Sequence, residues 1–176
     1  MQLSPVQQKF ILHWGEMGTR WGINRTVAQV HALLYLSGEP LNAETICSTL
    51  KVARSNVSTS LRELQSWGIV RAVHVLGDRR DHFESMTGVW EMFEKILDER
   101  KRRECDPTLR LLAECLEDAK KSDQDEPLVA QRLQEMHDFF QTMSNWYNDM
   151  RRLPTGTLKG FFQMGAKVKK FLGLAS

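Results

Sequence analysis

Cysteine is scarce in this chain of 176 residues, which contains Cys47, Cys105 and Cys115. An odd number without paired spacing does not suggest a disulfide framework and favours a reducing compartment. No apolar run approaches the roughly 20 residues that a membrane-spanning helix needs. The N-terminus, Met1–Val6, lacks the basic and apolar regions of a signal peptide. The sequence therefore predicts a cytoplasmic protein with no membrane partner.

Motifs of catalysis and metal binding are also missing. The sequence has no phosphate-binding glycine loop, no Gly-x-Ser-x-Gly and no His-Glu-x-x-His. The acidic pair Asp123 and Asp125 falls in a breaker-rich segment typical of a solvated loop. The five histidines have no metal-ligand spacing among themselves or with the cysteines; they are His13, His31, His74, His82 and His137. We therefore predict no enzyme activity, no metal and no cofactor.

Net charge is nearly balanced over the chain but not along it. The formal charge is +2, whereas the segment from Lys51 to His82 has six basic residues against three acidic ones, a local net charge of +3. A local excess of this kind is typical of a phosphate-binding surface. Hydrophobic residues make up 41% of the chain, which is enough for a core.

Residues 41–86 contain the most informative pattern. Asn42 is a preferred N-cap, and apolar residues follow it with the spacing of one buried helix face. Lys51–Arg54 is a turn without glycine. A second helix is predicted from Ser55 to about Trp67, capped by Ser55 or Asn56, with Val57, Leu61 and Leu64 facing the core.

The outer face of this second helix has short hydrogen-bonding side chains and one arginine; it comprises Ser55, Asn56, Ser58, Thr59, Arg62 and Ser66. Such side chains are small enough to enter a major groove and have the donors and acceptors to contact base edges. A polar helix face is usually only solvated, but the basic hairpin that follows favours DNA here.

The hairpin is predicted from two strand patterns. Gly68 ends the helix, Ile69–Leu76 is rich in β-branched residues, and Gly77-Asp78 is a turn signal before a returning strand, Asp81–Met86. Arg79 and Arg80 are expected in the loop, and His74 and His82 are candidates to meet across the hairpin. The predicted fold is mainly α, a winged helix-turn-helix whose wing is a β-hairpin, with a helical dimerisation arm.

These residues also resemble a known family. The motifs are Asn56-Val57-Ser58, Leu61-Arg62-Glu63-Leu64, Trp67-Gly68-Ile69-Val70 and Gly77-Asp78-Arg79-Arg80-Asp81. They resemble the MarR superfamily of bacterial winged-helix regulators, and most closely its GbsR-type branch, whose founding members repress glycine betaine synthesis and uptake genes. The resemblance implies that Asp78 braces the wing and that Arg79 and Arg80 supply the arginine that reaches the minor groove.

A small-molecule effector is a further expectation, because regulators of this type usually bind one where the DNA-binding lobe meets the dimer arm. Aromatic faces hold quaternary ammonium groups by cation–π attraction. The hypothesis is a choline- or betaine-like effector bound among Trp14, Trp21, Trp90, Trp146 and Tyr147. Core packing is the commoner role of such residues, and a redox switch at Cys105 and Cys115 is an alternative.

The rest of the sequence is predicted to form helices. Ser4-Pro5 starts one helix with an aromatic stripe, and Asn24 starts another with Val27, Val30 and Leu34 inward. Thr87 is the predicted cap of the helix after the wing, and Lys101–Arg103 is interpreted as complementing the dipole at its end. Asp106-Pro107 is predicted to cap the next helix.

A long heptad pattern follows an acidic linker at Ser122–Pro127; its seam is Val129, Leu133, Met136, Phe140, Met143, Tyr147 and Met150. It predicts packing on other helices, within the subunit or across a two-fold axis. The tail from Thr157 is amphipathic and basic, and packing on the protein is a better interpretation than binding an anionic membrane.

Together these patterns predict two domains, 1–86 for DNA binding and 87–176 for dimerisation and effector binding. The leading hypothesis is a homodimeric repressor of a pseudo-palindromic operator. Ser55, Asn56, Ser58, Thr59 and Arg62 would enter the major groove, and Lys51 and Arg54 would contact the backbone. The alternatives are a winged-helix module that binds only protein, and a regulator tethered to a membrane by its tail.

Overall fold

The structure is a computed structural model and describes residues 1–121, 127–154, 156, 157 and 160. The chain separates into two compact units, residues 1–95 and 96–176, and the functional boundary predicted after Met86 stays a prediction. The elements in chain order are α1 (Pro5–Arg20), α2 (Arg25–Ser37), β1 (Leu41–Asn42), α3 (Ala43–Leu50), α4 (Arg54–Ser66), β2 (Val70–Val75), β3 (Asp78–Ser85), α5 (Val89–Arg100), a π-helical turn (Lys101–Cys105), α6 (Asp106–Lys121) and α7 (Pro127–Arg151). The predicted class, mainly helical with a small wing sheet, is confirmed.

Helix α1 begins as the sequence predicts but packs through a different face. Ser4 caps it in a reciprocal capping box with Gln7. Its buried residues are Ile11, Gly15 and Gly18, whereas the aromatic stripe on the neighbouring face is only partly covered. Glycine allows α1 to approach α2 closely, because a Cβ on Gly18 would lie 2.5 Å from the Cβ of Ala28. The α1–α2 contact therefore depends on small residues.

Helix α2 is the centre of the first unit. Asn24 caps it as predicted, with its side-chain oxygen accepting from the Thr26 amide, and Val27, Val30 and Leu34 are buried. The largest fully buried side chains of the described chain come from α2, α3, α4 and the residue before β2; they are Leu33, Ile46, Leu64, Ile69, Val30 and Val57. This core joins α2 to the helix-turn-helix elements α3 and α4, which sets their orientation.

The wing is a three-stranded antiparallel sheet in the order β1-β3-β2. Strand β3 begins at Asp78, three residues earlier than predicted, so Arg79 and Arg80 lie within the strand instead of in a loop. The hairpin turn is only two residues, Leu76 and Gly77, because Val75 pairs directly with Asp78. His82 pairs with Val73 and is buried, with its ring beside Asp78 and the Arg80 carbonyl. His74 lies where the pairing is irregular and is exposed, so the expected meeting of His74 and His82 is not seen.

The helix that follows the wing starts at Val89, which puts the cap position at Gly88 and not at Thr87; the carbonyl of Gly88 accepts from the Met92 amide. Helical residues then run without a break to Lys121. The predicted helix end at Lys101–Arg103 is therefore wrong, and so is the cap at Asp106.

A π-helical turn replaces that predicted break. Pro107 has no amide proton, and its ring clashes with the carbonyl four residues earlier, so the backbone widens before it. The Asp106 amide accordingly donates to the carbonyl of Lys101. The basic run is paired locally, since Lys101 pairs with Asp106 at 2.6 Å and both neighbouring arginines, Arg102 and Arg103, pair with Glu99. The hydrogen bond from Arg102 holds the pKa of Glu99 below its usual value.

In the second unit α7 packs on α6 as a helical hairpin. The α7 seam predicted from heptads divides into two faces. Leu133, Phe140 and Tyr147 are partly buried, whereas a second apolar stripe is exposed; it consists of Val129, Met136, Phe139, Met143 and Trp146. Near the end of α7 the Tyr147 hydroxyl donates to Asp98 at 2.6 Å, and Arg151 donates to the same carboxylate.

Two predicted segments fall mostly outside the described residues. They are the acidic linker, described only at Pro127, and the basic tail, described only at Thr157 and Gly160. In the described part of the chain, no helix has the length and apolar character required to cross a bilayer. Those residues also contain no cluster of three or more histidine, cysteine, aspartate or glutamate side chains placed to hold a metal ion.

Candidate nucleic-acid interface

The first helix of the helix-turn-helix ends in an unusual backbone conformation. Asn42 caps α3 as predicted, and its side-chain oxygen accepts from the Thr45 amide at 3.0 Å. Lys51 then terminates the helix in the left-handed region with φ +55°, and it is the only non-glycine residue with positive φ in the described chain. Lys51 thus adopts a conformation that glycine adopts most easily, in a turn that contains no glycine. Its side chain is exposed.

The second helix begins one residue earlier than predicted. Helix α4 starts at Arg54, and the N-cap is Ala53, so the prediction that Ser55 or Asn56 caps it is wrong. Ala53 provides no side-chain hydrogen bond to the first turn. The first amides of α4 therefore have no side-chain cap, and they lie at the positive end of the helix dipole on an exposed surface. A phosphate is a suitable acceptor for such a helix end.

The two faces of α4 divide as the sequence predicts. Val57, Leu61 and Leu64 are at most 3% exposed and anchor the helix to the core. All the residues predicted to contact bases are exposed; they are Ser55, Asn56, Ser58, Thr59 and Arg62. Arg62 donates to the Thr59 hydroxyl at 3.4 Å, a long hydrogen bond that leaves its guanidinium available to other acceptors.

The wing is braced through Asp78, the residue that the resemblance assigns to this role. Arg80 donates to Asp78 with its backbone amide at 3.0 Å and with its guanidinium at 2.9 Å. These hydrogen bonds hold the pKa of Asp78 well below its usual range, so the carboxylate stays charged. His82 is buried on the same face of β3, and its Nδ1 lies 3.0 Å from the Arg80 carbonyl.

The two wing arginines are not equivalent. Arg80 is held by Asp78 and also donates to Glu44 at the start of α3, at 2.7 Å. Arg79 is exposed and forms no ion pair with any residue that the structure describes. Arg79 is therefore the wing cation most available to an external anion.

Helix α4 and the wing enclose a groove of about 540 Å³. Five of the nine predicted contact residues line it, namely Arg54, Ser58, Arg62, Arg79 and Arg80. Lys51, Ser55, Asn56 and Thr59 are not part of its lining. The structure thus brings the wing arginines and one side of α4 to a single concave surface with both hydrogen-bonding and cationic groups.

Two polar residues of this groove, Gln65 and Glu44, were missed by the sequence interpretation. Gln65 lines it, and its spacing from Ser58 and Arg62 along one side of α4 was a signal that pointed to it. Glu44 lines it too, where it contacts Arg80 and lies 3.5 Å from Arg54. No local sequence pattern predicts the role of Glu44, because its partners Arg54 and Arg80 are 10 and 36 residues away in sequence.

The five aromatic residues of the effector hypothesis are divided between the units. Trp14, Trp21 and Trp90 belong to the first, and Trp146 and Tyr147 to the second. Trp14 and Trp21 contact edge to face, with centroids 5.7 Å apart, and Trp21 is 47% exposed. The Tyr147 hydroxyl is engaged by Asp98. The effector site therefore stays a prediction.

Comparison with known proteins agrees with this geometry. The model of the MarR family matches residues 21–81, which include α2, the helix-turn-helix and the wing arginines. No curated protein matches the sequence. A crystal structure of a transcriptional regulator superimposes with a TM-score of 0.66 at 20% identity, covering 90% of this chain and 99% of the other, which establishes a shared fold.

Two further structures are more distant. The transcriptional regulator Tm0710 from Thermotoga maritima has a TM-score of 0.39 at 16% identity, covering 78% of this chain and 91% of its own. ZitR from Lactococcus lactis has a TM-score of 0.33 at 16% identity, with coverages of 66% and 75%.

Proposed function

We propose that this chain is a MarR-type transcriptional regulator that binds double-stranded DNA. The observation that carries the proposal is the surface around α4. It presents short polar side chains and Arg62 outward, and it shares a groove with the arginines of the wing. The family match over residues 21–81 supports the same assignment. The proposal includes no catalytic activity.

In the proposed complex α4 lies in the major groove. Ser55, Asn56, Ser58, Thr59 and Arg62 contact base edges, where arginine favours guanine and asparagine favours adenine. Lys51, Arg54 and the first-turn amides of α4 contact phosphates, which position the protein without reading sequence. Arg79 reaches the neighbouring minor groove from the wing, and Asp78 keeps Arg80 beside it.

A mobility-shift assay with the DNA upstream of the gene that encodes this chain tests the proposed function directly. Specific binding should survive an excess of competitor duplex. It should weaken steeply as salt rises from about 50 to 200 mM, because binding releases counterions from the DNA and added salt opposes that release. Absence of any retained complex at low salt on promoter fragments would contradict it. That result would favour the alternative, a winged-helix module that binds protein only.

The roles within the surface are separable by mutation. Arg62→Ala should cost roughly 1–3 kcal/mol and relax base preference at one position, whereas Lys51→Ala should weaken binding to all duplexes alike. Competition titrations against an operator and its single-base variants measure both effects. An equal, uniform loss in both variants would show that the base-reading role of Arg62 is wrong.

We further propose that the protein is a homodimer and a repressor, located in the cytoplasm, with a pseudo-palindromic operator. The exposed apolar stripe on α7 supports dimerisation, since monomeric proteins rarely leave so much contiguous apolar surface in water. A two-fold axis would place two α4 helices on successive turns of the duplex.

The GbsR-type assignment and a quaternary ammonium effector complete the proposal. The edge-to-face pair of Trp14 and the half-exposed Trp21 supports an aromatic site. Calorimetry with choline, betaine and carnitine should give saturable heat that Trp21→Ala abolishes. No heat with any of the three would remove this effector class while leaving the DNA-binding proposal unaffected.

A further inference from the structure

Glu44 is an acidic side chain in the first turn of α3 that contacts cations from two other elements. Its Oε2 accepts from Arg80 of β3 at 2.7 Å, and its Oε1 lies 3.5 Å from Nη1 of Arg54 in α4. The Glu44 side chain is 58% exposed and lines the groove between α4 and the wing. An anion that enters the groove therefore meets this carboxylate beside the two arginines.

The proposed function defines that anion. With α4 in the major groove and the wing in the next minor groove, the sugar–phosphate strand between them passes along the groove. A phosphate there meets the cations that line the groove, among them Arg54 and Arg80, and Glu44 already engages these two. The carboxylate also repels the phosphate, in a region where DNA affinity depends mainly on such cations.

We propose that Glu44 is a positioning residue that competes with DNA phosphates for Arg54 and Arg80 and so limits the affinity for every duplex. This inference rests on the proposed DNA-binding function. Asp78 remains bonded to Arg80 when Glu44 is neutralised, so the wing arginine keeps its place and only the competition is removed. A limited phosphate affinity lets a regulator leave non-specific DNA quickly.

The test compares full-length wild type with Glu44→Gln and the matched control Glu39→Gln, which removes the same charge from an exposed residue outside the groove. Titrations use an operator fragment and an unrelated duplex of equal length over a salt series. Glu44→Gln should bind both duplexes about three- to ten-fold more tightly than wild type. Its affinity should also fall more steeply with salt, by roughly one unit in the log–log slope.

A residue that only held the fold together would give weaker binding in Glu44→Gln, and that result overturns the inference. An affinity gain no larger than that of Glu39→Gln overturns it too, since net charge alone would then explain the gain. Wild type that binds no duplex would instead refute the proposed function itself. Thermal melts establish that all variants fold.

Repeating the titrations in the Arg80→Ala variant tests whether Glu44 limits DNA affinity through Arg80. In Arg80→Ala the gain from Glu44→Gln should shrink, because one of the two cations that it releases is gone. A full gain in that background would show that Glu44 does not act through Arg80.

Discussion

Lys51 shows how a single backbone position shapes the helix-turn-helix. Its left-handed conformation costs a non-glycine residue roughly 1–2 kcal/mol relative to the right-handed form. Glycine would adopt the conformation without this cost, but it would remove a cation beside the proposed DNA surface. The sequence thus keeps a charge at the expense of local strain.

We expect Lys51→Gly to be more stable than Lys51→Ala by about 1 kcal/mol, because both lose the charge and only glycine relieves the strain. Urea unfolding of the two variants measures the difference. Their affinities for DNA should be equally reduced. Equal stability of the two variants would show that the turn relaxes without strain.

His31 is a buried histidine whose pKa differs between the folded and the unfolded chain. It is 5% exposed in α2, and its Nε2 has no hydrogen-bond partner among the described residues. Burial lowers the pKa of His31 from 6.5 to about 4, so the folded protein holds the neutral imidazole. The unfolded chain takes up the proton first as the pH falls.

The free energy of unfolding should therefore be independent of His31 above about pH 7 and decrease as the pH falls from 6.5 towards 4. Its contribution between pH 7 and 4.5 should be about 2–3 kcal/mol. Carboxylates titrate in the same range, so the measurement is the difference between wild type and His31→Leu in urea unfolding at both pH values. The same loss in both proteins would contradict the assignment.

At the scale of elements, the contact between α1 and α2 depends on Gly18. A methyl group there would lie 2.5 Å from the Cβ of Ala28, which cannot move without its backbone. Gly15 is a matched comparison in the same helix, because its added Cβ would meet the rotatable side chain of Gln29 at 2.7 Å. An added methyl group can therefore be accommodated at Gly15 by rotation of Gln29, whereas at Gly18 it requires the backbone of α2 to move.

Gly18→Ala should separate the helices and destabilise the protein by about 1–3 kcal/mol, whereas Gly15→Ala should cost less, since alanine improves helix propensity and Gln29 can rotate away. Thermal melts of both variants provide the measurement. A Gly18→Ala variant as stable as Gly15→Ala would indicate that the helices can slide apart at little cost.

The elements also show where prediction from sequence reaches its limit. Both helices of the helix-turn-helix and the wing strands were predicted, because caps, apolar periodicity and β-branched runs are local signals. The cap of α4 was wrong because Ala53 leaves its amides without the side-chain partner that a preferred cap supplies. The break near Lys101 was wrong because a π-helical turn let the helix continue into Pro107.

At the scale of the whole molecule, the exposed apolar stripe of α7 leads to a prediction about assembly. Phe139→Glu should convert the proposed dimer to a monomer, because a charge cannot be buried unpaired in an apolar interface. Light scattering coupled to size exclusion gives the mass. Asn145→Glu adds the same charge to an exposed residue on the polar side of α7 and should leave the dimer intact.

Operator affinity should fall with the dimer, since one subunit reaches only half of the site. A Phe139→Glu protein with unchanged mass would show that the α7 stripe is not the interface. A wild-type protein that is already monomeric would contradict dimerisation itself.

The sequence by itself determined both helices of the helix-turn-helix, the wing hairpin, the buried face of α4 and its polar outer face, because each depends on neighbours within a few residues. Only the tertiary structure decided which wing arginine is free, that Glu44 engages two cations, and which face of α7 is left in water. Those properties depend on side chains that are distant in sequence and meet only when the helices pack, around Leu33 and Ile46 in the first unit and between α6 and α7 in the second. Charge pairing and exposure are set by that packing, and no local pattern encodes them.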